Sequence, residues 1–461
     1  MARLVLVSNR VPSPTDRAAR AGGLAAALSD AVKGGLWFGW SGEIAEAASE
    51  TARIKRAHGV TYATIDLGKQ DYEDYYVGYA NSTLWPLLHY RMGLMAYDRA
   101  LYQAYLAVNR AFARALQPLL QPGDTVWVHD YHLIPLGAML RELGVDARIG
   151  FFLHVPFPPA GVFAVLPDGP ALLKSLAAYD LVGVQTAPDL RNLLDCVREH
   201  LGRGPDADGR LATNGHTARF AAYPIGIDAA AFAATAAESA HGAEAGRLRQ
   251  SLTGRSLIIG VDRLDYSKGL PNRFDAYARL LGRWADYRGR VTYLQIAARS
   301  RDDVPQYKAI RNDLDRLSGG INGKYGTPHW VPLRYITRAT PRETLAGYFR
   351  IARVGLVTPL RDGMNLVAKE FVAAQDPADP GVLVLSPFAG AVHELPEALI
   401  VNPVDADALA EALDQALKMP LDERKSRWQA MWNRVNTQDA NAWRRQFLDD
   451  LEAADLREAA E

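Results

Sequence analysis

The chain has 461 residues, of which 49% are hydrophobic and 23% are charged, a balance typical of a globular protein and not of a disordered one. Its 52 basic and 52 acidic side chains cancel, so no net charge attracts the protein to nucleic acid or to an anionic membrane surface. The length exceeds that of a single hydrophobic core and predicts two domains of roughly 200 residues each.

The sequence indicates neither disulfide bonds nor a targeting segment. Cys196 is the single cysteine, which excludes an internal disulfide and suits a reducing compartment. The apolar run at residues 4–7 is too short for a signal peptide, and no stretch approaches the ~18 apolar residues of a membrane span. We therefore expect a cytoplasmic protein without a membrane or nucleic-acid partner.

Short apolar runs alternate with helix-length segments along the whole chain. In the first half the runs are residues 3–7, 125–129, 149–154 and 181–185. In the second half they are residues 257–261, 291–296, 354–358 and 382–385. This alternation predicts parallel sheets with helices on both faces.

These elements predict an α/β protein with two Rossmann-like, doubly wound domains that face each other across a cleft. A small-residue stretch at residues 228–237 marks the expected boundary, so the predicted domains are residues 1–232 and 233–440. A cleft between two such domains is where a two-substrate enzyme would bind its ligands.

The first predicted strand is followed by a charged and glycine-containing segment. Arg10 lies just past the strand, and Gly22 and Gly23 begin the next helix. The glycines would allow backbone contact with a phosphate or a sugar, and Arg10 would add a fixed positive charge for an anionic substrate. The alternative is a tight turn with a surface arginine, which these residues leave open.

Aromatic residues accumulate before the second predicted strand. They would offer flat surfaces and hydroxyls to a sugar ring, although most aromatic side chains in proteins belong to the core. Polar neighbours keep both interpretations open. The residues concerned are Trp37, Trp40, Tyr75, Tyr76, Trp85 and Tyr90.

Three histidines, His129, His132 and His154, lie at the ends of the next two strands. No carboxylate or thiol at metal-ligand spacing completes a metal site around them. We therefore expect these histidines to form hydrogen bonds with sugar hydroxyls or with developing charge, and we expect neither a metal ion nor a cofactor.

A charged loop at residues 261–269 follows the first strand of the second half. Open α/β sheets bind ligands just past the carboxyl ends of their strands, which is where this loop would lie. Arg263 and Lys268 could both contact one diphosphate. The alternative, in which Arg263 pairs with Asp262 or Asp265 at the surface, stays open because structural networks also cluster charges.

A second charged loop, at residues 359–370, has the same relation to a later strand. Gly363 permits a close backbone approach, and a helix beginning near Asn365 would direct its free N–H groups at an anion. Asp362 would accept hydrogen bonds from sugar hydroxyls, and Glu370 would hold a ribose diol. The alternative is an ordinary helix N-terminus with complementary acids, but Arg361 is an unfavourable charge there. Together the two loops predict a nucleotide-sugar enzyme.

Five segments of the chain resemble the signature segments of bacterial trehalose-6-phosphate synthases. They are residues 36–42, 129–133, 152–158, 263–270 and 360–370, and the resemblance runs in order from Arg3 to about Trp443. It implies a B-type glycosyltransferase fold in which a terminal helix, residues 441–461, returns to the first domain. It also implies transfer of glucose from UDP-glucose to glucose 6-phosphate with retention, which yields trehalose 6-phosphate and UDP.

The resemblance implies a role for each matching residue. The nucleotide-sugar donor would be bound in the second domain and approached by two glycines of the first, through Gly22, Gly23, Arg263, Lys268, Asp362, Gly363, Met364, Asn365, Leu366, Val367 and Glu370. The sugar-phosphate acceptor would be bound by Arg10, Trp40, Tyr76, Trp85, Asp130 and Arg301. The catalytic set would be Arg263, Lys268, Asp362 and His154.

The mechanism implied by the resemblance needs neither a metal ion nor a covalent nucleophile. The leaving phosphate would deprotonate the acceptor hydroxyl, while Arg263 and Lys268 stabilise the departing charge. Thr340 departs from some relatives near the nucleotide base and leaves the base preference open. We expect a homo-oligomer, either a dimer or a tetramer.

Three alternatives remain at this stage. One is a related pseudo-glycosyltransferase or glucosylglycerol-phosphate-type synthase, which would use a cyclitol phosphate or glycerol 3-phosphate as the acceptor. The second is a non-catalytic sugar-phosphate sensor. The third is a nucleotide-diphosphate hydrolase, which would release UDP without an acceptor.

Overall fold

A computed structural model describes residues 3–13, 28, 32–49, 51–213, 216–301 and 304–453. The chain divides into two compact units. One comprises the residues up to Pro224 together with those from Trp443 onward, and the other is Ile225–Ala442. The unit changes therefore lie after residues 224 and 442, whereas the sequence predicts domain limits after residues 232 and 440.

The described residues of the first unit form a nine-stranded sheet with the order β3-β4-β2-β1-β5-β6-β7-β9-β8. Its strands are β1 (Leu4–Arg10), β2 (Leu36–Ala45), β3 (Arg53–Ala57), β4 (Val60–Gly68), β5 (Thr125–His129), β6 (Arg148–Phe152), β7 (Leu181–Val184), β8 (Arg210–Thr213) and β9 (His216–Ala222). The neighbours from β4 to β9 pair in parallel, and the β3–β4 and β8–β9 pairs at the two edges are antiparallel.

Helices accompany this sheet, and one segment, Tyr72–Leu84, is π-helical. The α-helices whose bounds lie within the described residues are α1 (Lys69–Asp71), α2 (Trp85–Leu88), α3 (Arg99–Leu116), α4 (Leu136–Glu142), α5 (Ala160–Phe163), α6 (Gly169–Leu176) and α7 (Ala187–Leu201). Their ends follow ordinary capping chemistry. The Thr186 side chain accepts a hydrogen bond from the Asp189 N–H at the start of α7, and Gly202 ends that helix with a φ of 67°.

The second unit contains a six-stranded sheet with the order β12-β11-β10-β13-β14-β15, in which every described pair is parallel. Its strands are β10 (Ser256–Arg263), β11 (Val291–Ala298), β12 (Leu333–Ile336), β13 (Val354–Val357), β14 (Val382–Leu385) and β15 (Leu399–Ile400). Strands β13 and β14 are buried along their whole length, as expected for a sheet covered on both faces.

The helices of the second unit alternate with these strands. They are α8 (Ala229–Ser239), α9 (Ala243–Leu252), α10 (Leu270–Arg283), α11 (Pro305–Tyr325), α12 (Arg342–Ile351), α13 (Leu366–Ala374), α14 (Ala406–Lys418) and α15 (Leu421–Thr437). Helix α10 shows why they form, because its apolar side chains recur at helical spacing and bury one face. Within the described part of the chain, none of the helices combines the length and the apolar character that a membrane span requires.

The last described helix, α16 (Ala440–Ala453), packs against the first sheet. The Phe447 ring stacks on Trp127 with 4.7 Å between ring centroids, and the Trp443 ring lies 5.0 Å from the same indole. Gly150 and Gly183 make this approach possible, because a Cβ atom on either would lie 2.8 Å from the Phe447 ring. Helix α16 therefore covers strands β5 to β7.

Each of the eight predicted strands is present, as β1, β5, β6, β7, β10, β11, β13 and β14. The structure adds strands that the sequence interpretation did not assign, among them β2, whose aromatic residues were considered either as ligand surfaces or as core. It also adds antiparallel edges to the parallel sheet that was predicted. Antiparallel hairpins need only a short turn, so they are less conspicuous than strands separated by a helix.

Candidate active site

Among its parallel strands, each described sheet has one point at which the strand order reverses. Strand β1 lies between β2 and β5 in the first sheet, and β10 lies between β11 and β13 in the second. Open α/β sheets bind ligands past the carboxyl ends of the strands at such points. Arg10 and Asp130 occupy this position in the first unit, and Arg263 and residues 359–370 occupy it in the second.

The side chains of the two charged loops of the second unit meet. Lys268 Nζ donates a hydrogen bond to Asp362 Oδ2 at 2.5 Å, and Asn365 Nδ2 donates to the same oxygen at 2.9 Å. Lys268 is only 8% exposed and Asn365 9%. A cation, a carboxylate and an amide thus form one compact cluster at the switch point of this sheet.

The backbones of the two loops also hold each other in place. The Leu360 N–H donates to the Ser267 carbonyl at 2.7 Å. Gly269 has a φ of 67°, and a Cβ atom there would lie 2.6 Å from the Thr358 carbonyl oxygen. Glycine is therefore required for both the conformation and the close approach.

Asn365 begins helix α13 from an uncommon backbone conformation. Its φ is 75° and its ψ 82°, and its Oδ1 accepts a hydrogen bond from the Ala368 N–H at 3.3 Å. The first N–H groups of a helix, here those of Leu366 and Val367, have no intrahelical acceptor. The predicted helix start at residues 365–367 is confirmed, and its geometry suits an anionic ligand.

Glu370 lies in the second turn of α13 and contacts Arg342. The Arg342 guanidinium donates to Glu370 Oε1 from Nε at 3.3 Å and from Nη2 at 3.2 Å, and it also lies 4.6 Å from the Phe232 ring centroid. Burial raises the pKa of the Glu370 carboxyl, and Arg342 opposes that change. Arg342 thus sets the orientation of this carboxylate.

A fully buried arginine connects the strands and loops beneath this cluster. Arg273 donates to Asp262 Oδ2 at 2.5 Å, to the Lys268 carbonyl at 3.0 Å and to Thr358 Oγ1 at 3.1 Å. Lys268 and Thr358 lie on the two different segments that follow β10 and β13. Arg273 therefore fixes the distance between the two charged loops.

Arg301 and Arg263 lie at the ends of the neighbouring strands β11 and β10. Arg263 is the last residue of β10 and is exposed. Arg301 follows β11 with a φ of 54°, and its side chain is 5% exposed and ion-paired with Asp265 at 3.6 Å. Both guanidinium groups thus belong to the same edge of the second sheet.

Three predicted acceptor residues of the first unit are in contact. The Arg10 guanidinium lies 5.7 Å from the Trp40 ring centroid, and the Tyr76 ring lies 5.7 Å from the same indole. Gly42 leaves room for this arginine, because a Cβ atom there would lie 2.7 Å from Arg10 Nε. A cation beside two aromatic faces is a suitable surface for a sugar phosphate.

The π-helical segment positions Tyr76. Asn81 Nδ2 donates to the Tyr76 carbonyl at 2.8 Å, five residues earlier, and Asn81 Oδ1 accepts from the Tyr131 hydroxyl at 2.7 Å. Tyr131 immediately follows Asp130, so buried Asn81 connects two parts of the predicted acceptor site. π-Helical turns are frequent at functional sites.

Asp130 and His154 are connected at the ends of β5 and β6. Asp130 has a φ of 77° and a ψ of 163°, a conformation adopted almost only by glycine, and such strain concentrates at functional sites. Its Oδ1 accepts from the His154 N–H at 3.3 Å, and His154 Nε2 lies 2.9 Å from His129 Nδ1. Burial lowers the pKa of His154 to about 3 and that of His129 well below its usual range. Both imidazoles are therefore neutral at pH 7.

The remaining predicted residues are less informative. Trp85 is buried, and its ring lies 5.6 Å from that of Tyr131. Met364 is also buried, and its carbonyl accepts from the Ala391 N–H at 2.8 Å. Gly22 and Gly23 lie outside the described residues. Among the described residues, no three histidine, cysteine or acidic side chains are grouped as a metal ion would require.

A model of glycosyltransferase family 20 matches residues 4–453. The chain belongs to this family. The match covers both sheets, both switch points and the whole of helix α16, so the family assignment rests on nearly the whole length of the chain.

Individual members of family 20 are similar over the whole chain. A trehalose-6-phosphate synthase from Sinorhizobium fredii is 49% identical over 463 aligned positions, and the alignment covers 99% of this chain and 100% of that protein. A crystal structure of a UDP-forming α,α-trehalose-phosphate synthase from Burkholderia xenovorans in complex with glucose 6-phosphate has a TM-score of 0.94 at 46% identity, covering 98% of this chain and 100% of that one. An E. coli structure bound with UDP-2-fluoro glucose has a TM-score of 0.91 at 45% identity, covering 99% and 100%.

These similarities confirm the resemblance recognised in the sequence. The α/β fold with two Rossmann-like doubly wound sheets is likewise confirmed, and as a member of family 20 the chain is a glycosyltransferase. The individual roles of the site residues stay predictions.

Several residues that hold the candidate site together were not identified from the sequence. Arg273 had a recognisable signal, because it occupies an apolar position of α10 between Leu270 and Tyr277 in the helical repeat, and a charge there needs a buried partner. Asp265 and Tyr307 gave no such signal. Their partners are distant in sequence, and only the family 20 fold brings them together.

Proposed function

We propose that this family 20 glycosyltransferase transfers glucose from UDP-glucose to glucose 6-phosphate with retention at the anomeric carbon, and that it releases trehalose 6-phosphate and UDP. The observation that carries the proposal is the Lys268–Asp362–Asn365 cluster, which lies beside a helix N-terminus at the switch point of the second sheet. This arrangement suits a diphosphate attached to a sugar.

In this proposal the donor replaces the internal partner of Lys268. The ammonium group turns from Asp362 to the diphosphate, and the N–H groups of Leu366 and Val367 complete the anion site. Asp362 then accepts hydrogen bonds from glucose hydroxyls. Glu370, held by Arg342, accepts them from the ribose diol.

The acceptor phosphate is bound by positively charged residues, and the acceptor sugar by aromatic and polar ones. Arg10 and Arg301 supply guanidinium groups, which bind phosphate oxygens through paired hydrogen bonds. Trp40 and Tyr76 offer aromatic faces to the sugar ring, and the strained Asp130 orients a carboxylate toward its hydroxyls. His154 is neutral at pH 7, so its ring hydrogen-bonds a donor hydroxyl without adding charge.

The chemistry proceeds on one face of the donor sugar. The leaving phosphate accepts the proton of the attacking acceptor hydroxyl as the glycosidic bond breaks and the new bond forms. Arg263 and Lys268 stabilise the negative charge that develops on the departing UDP. The proposal assigns no step to a metal ion or a covalent nucleophile.

The test is UDP release from UDP-glucose with and without glucose 6-phosphate, in EDTA, with the product identified by mass. A phosphorylated non-reducing disaccharide formed only when acceptor is present supports the proposal. UDP release without acceptor would instead indicate a hydrolase. No release with glucose 6-phosphate, followed by turnover with a cyclitol phosphate or glycerol 3-phosphate, would reassign the acceptor.

The same proposal includes a cytoplasmic location and a homo-oligomeric state. The location is supported by the buried thiol of Cys196, the single cysteine of the chain, which suits a reducing compartment. Fractionation and light scattering at several protein concentrations test these two points independently of activity.

A further inference from the structure

A buried carboxylate, Asp265, closes the turn that presents Lys268. Asp265 is 1% exposed, and its Oδ1 accepts a hydrogen bond from the Ser267 N–H at 2.9 Å. Its backbone carbonyl accepts from the Lys268 N–H at 3.1 Å. The position of Lys268 past β10 therefore depends on how Asp265 is held.

The second oxygen of this carboxylate faces a tyrosine and an arginine. The Tyr307 hydroxyl donates to Asp265 Oδ2 at 2.7 Å, and Arg301 Nη1 donates to the Tyr307 hydroxyl at 2.7 Å. The direct distance from Arg301 Nη1 to Asp265 Oδ2 is 3.6 Å. A guanidinium only donates and a carboxylate only accepts, so the hydroxyl, which does both, bridges them in one defined direction.

Tyr307 is itself rigidly placed. It is 1% exposed, and its ring makes an edge contact with Tyr266 at 5.3 Å between centroids. Burial and the negative charge of Asp265 raise the pKa of the hydroxyl well above its usual range. The hydroxyl therefore stays protonated at all ordinary pH values, and it donates a hydrogen bond to Asp265.

The backbone of Arg301 adopts an unfavourable conformation, so contacts of its side chain have to hold this residue in place. Its φ of 54° lies in the left-handed region, which is unfavourable for a non-glycine residue. The tertiary contacts of the side chain have to offset this cost. The contact with Tyr307 is one that a single substitution removes without altering the backbone.

We propose that Tyr307 is a positioning residue that orients the Arg301 guanidinium for the acceptor phosphate and connects it, through Asp265, to the turn that presents Lys268. The inference rests on the proposed function, in which Arg301 binds the acceptor and Lys268 the donor. It assigns to this enzyme a link, contained within the second unit, between the acceptor-binding and donor-binding residues.

The informative variant is Tyr307→Phe, which keeps the ring and its contact with Tyr266 but removes the bridging oxygen. Tyr335→Phe is the matched control. The Tyr335 hydroxyl lies in the same unit, is shielded from solvent, and makes no hydrogen bond within the described part of the chain. Both variants lose one hydroxyl from a tyrosine that packs against other aromatic rings.

We expect Tyr307→Phe to raise the KM for glucose 6-phosphate about ten- to a hundredfold, the range for losing a hydrogen bond to a charged group. The Kd of UDP should change by less than about threefold, because the Ser267 contact of Asp265 remains. The kcat/KM for glucose 6-phosphate should fall while that for glucose stays unchanged, because glucose carries no phosphate for Arg301 to bind. The preference for glucose 6-phosphate over glucose should therefore fall by the same factor as the kcat/KM for glucose 6-phosphate. Tyr335→Phe should match the unmodified enzyme in all three measurements.

The inference is overturned if Tyr307→Phe behaves like Tyr335→Phe. It is also overturned if glucose 6-phosphate and glucose turnover fall equally, because that pattern indicates a general structural loss. If the unmodified enzyme does not use glucose 6-phosphate at all, the proposed function fails first. An assay of the unmodified enzyme therefore distinguishes failure of the proposed function from failure of this inference.

Discussion

The side chains of Lys268 and Asp362 form an ion pair at 2.5 Å while both lie in the loops assigned to the donor. Such a pair keeps two opposite charges partnered in a nearly buried place, where an unpaired charge would be costly. In the proposed function, an exchange of partners on donor binding would make Lys268 available to the diphosphate. At the scale of single residues, this exchange is the main consequence of the geometry.

Replacing Lys268→Ala tests that exchange. We expect kcat to fall by about a hundredfold or more and the KM for UDP-glucose to change only a few-fold, because the charge on the leaving group is largest in the transition state. Steady-state kinetics with varied donor measures both constants. Lys425→Ala, an exposed lysine on α15, is the control. Equal losses in binding and turnover would argue against the assigned role.

Gly42→Ala tests the placement of Arg10. Gly42 has a φ of 92°, and a Cβ atom would collide with the Arg10 guanidinium. Gly59→Ala is a matched control, because its φ is 77° and nothing lies within 4 Å of the added atom. Both variants should lose about 1 kcal/mol of stability, whereas only Gly42→Ala should raise the KM for glucose 6-phosphate. A rise in both variants would mean that backbone strain and not Arg10 is responsible.

The pH dependence of stability should report on His129. Its pKa in the folded chain is well below the ordinary value of about 6.5, so the unfolded chain binds the extra proton as the pH falls below 6.5. The free energy of unfolding should therefore decrease on going from pH 7 to pH 5. Urea denaturation at several pH values should show a shallower decrease for His129→Asn and an unchanged one for the exposed His58→Asn. Parallel curves for all three proteins would refute this.

At the scale of elements, the two switch points depend on how helices and loops begin after strands. Helix α13 begins at Asn365, whose side chain caps the helix through Oδ1 and binds Asp362 through Nδ2. Asn365 thus stabilises the helix and also orients Asp362, a residue predicted to bind the donor sugar. The π-helical segment does the same in the first unit, where Asn81 holds the Tyr76 carbonyl.

Asn365→Ala should therefore have two effects, whereas an ordinary capping variant has one. We expect a loss of about 1–2 kcal/mol in the free energy of unfolding and a clear rise in the KM for UDP-glucose. Asp405→Ala is the control, since Asp405 belongs to neither charged loop and caps α14 by accepting from the Ala408 N–H at 2.9 Å. It should lose similar stability and keep its kinetics. An unchanged KM in Asn365→Ala would separate the cap from the site.

At the scale of the whole molecule, the chain passes from one unit to the other twice, after residues 224 and 442. Within the second unit, residues next to these two points lie close together. A Cβ atom on Gly226 would lie 2.0 Å from the Gln438 carbonyl oxygen. Lys369, fully buried beside Glu370, donates to the Ile225 carbonyl at 2.8 Å and is paired with Glu394. Helix α13 is thus connected directly to the segment at which the second unit starts.

The second change of unit, after residue 442, falls in the first turn of helix α16. Phe447 anchors this helix to the first unit. This side chain is fully buried against Trp127, Phe152 and Tyr223. Phe447→Ala should cost about 3–5 kcal/mol and lower Tm by several degrees, since glycines beneath the ring leave nothing to fill the cavity. Thermal unfolding measures the change, with Leu421→Ala, a half-exposed residue, as the control. A shift no larger than that of the control would show that α16 contributes little.

The sequence by itself determined the two sheets and the two charged loops. Strands such as residues 257–261 and 354–358 are continuous apolar runs, and the loops that follow them carry the site, because parallel strands all end at the same edge. Local patterns of this kind need no knowledge of distant partners. The family resemblance followed from these two loops together with three segments of the first half, and it is confirmed by the match to family 20.

Only the tertiary structure decided how these residues are held. Lys268 meets Asp362, Glu370 meets Arg342, and Arg301 meets Asp265 through Tyr307, in each case across a long separation in sequence. The strain at Asp130 is equally invisible in the sequence, because aspartate usually avoids that conformation. Burial makes each such contact strong and specific, and burial is a property of the folded chain and not of any local segment.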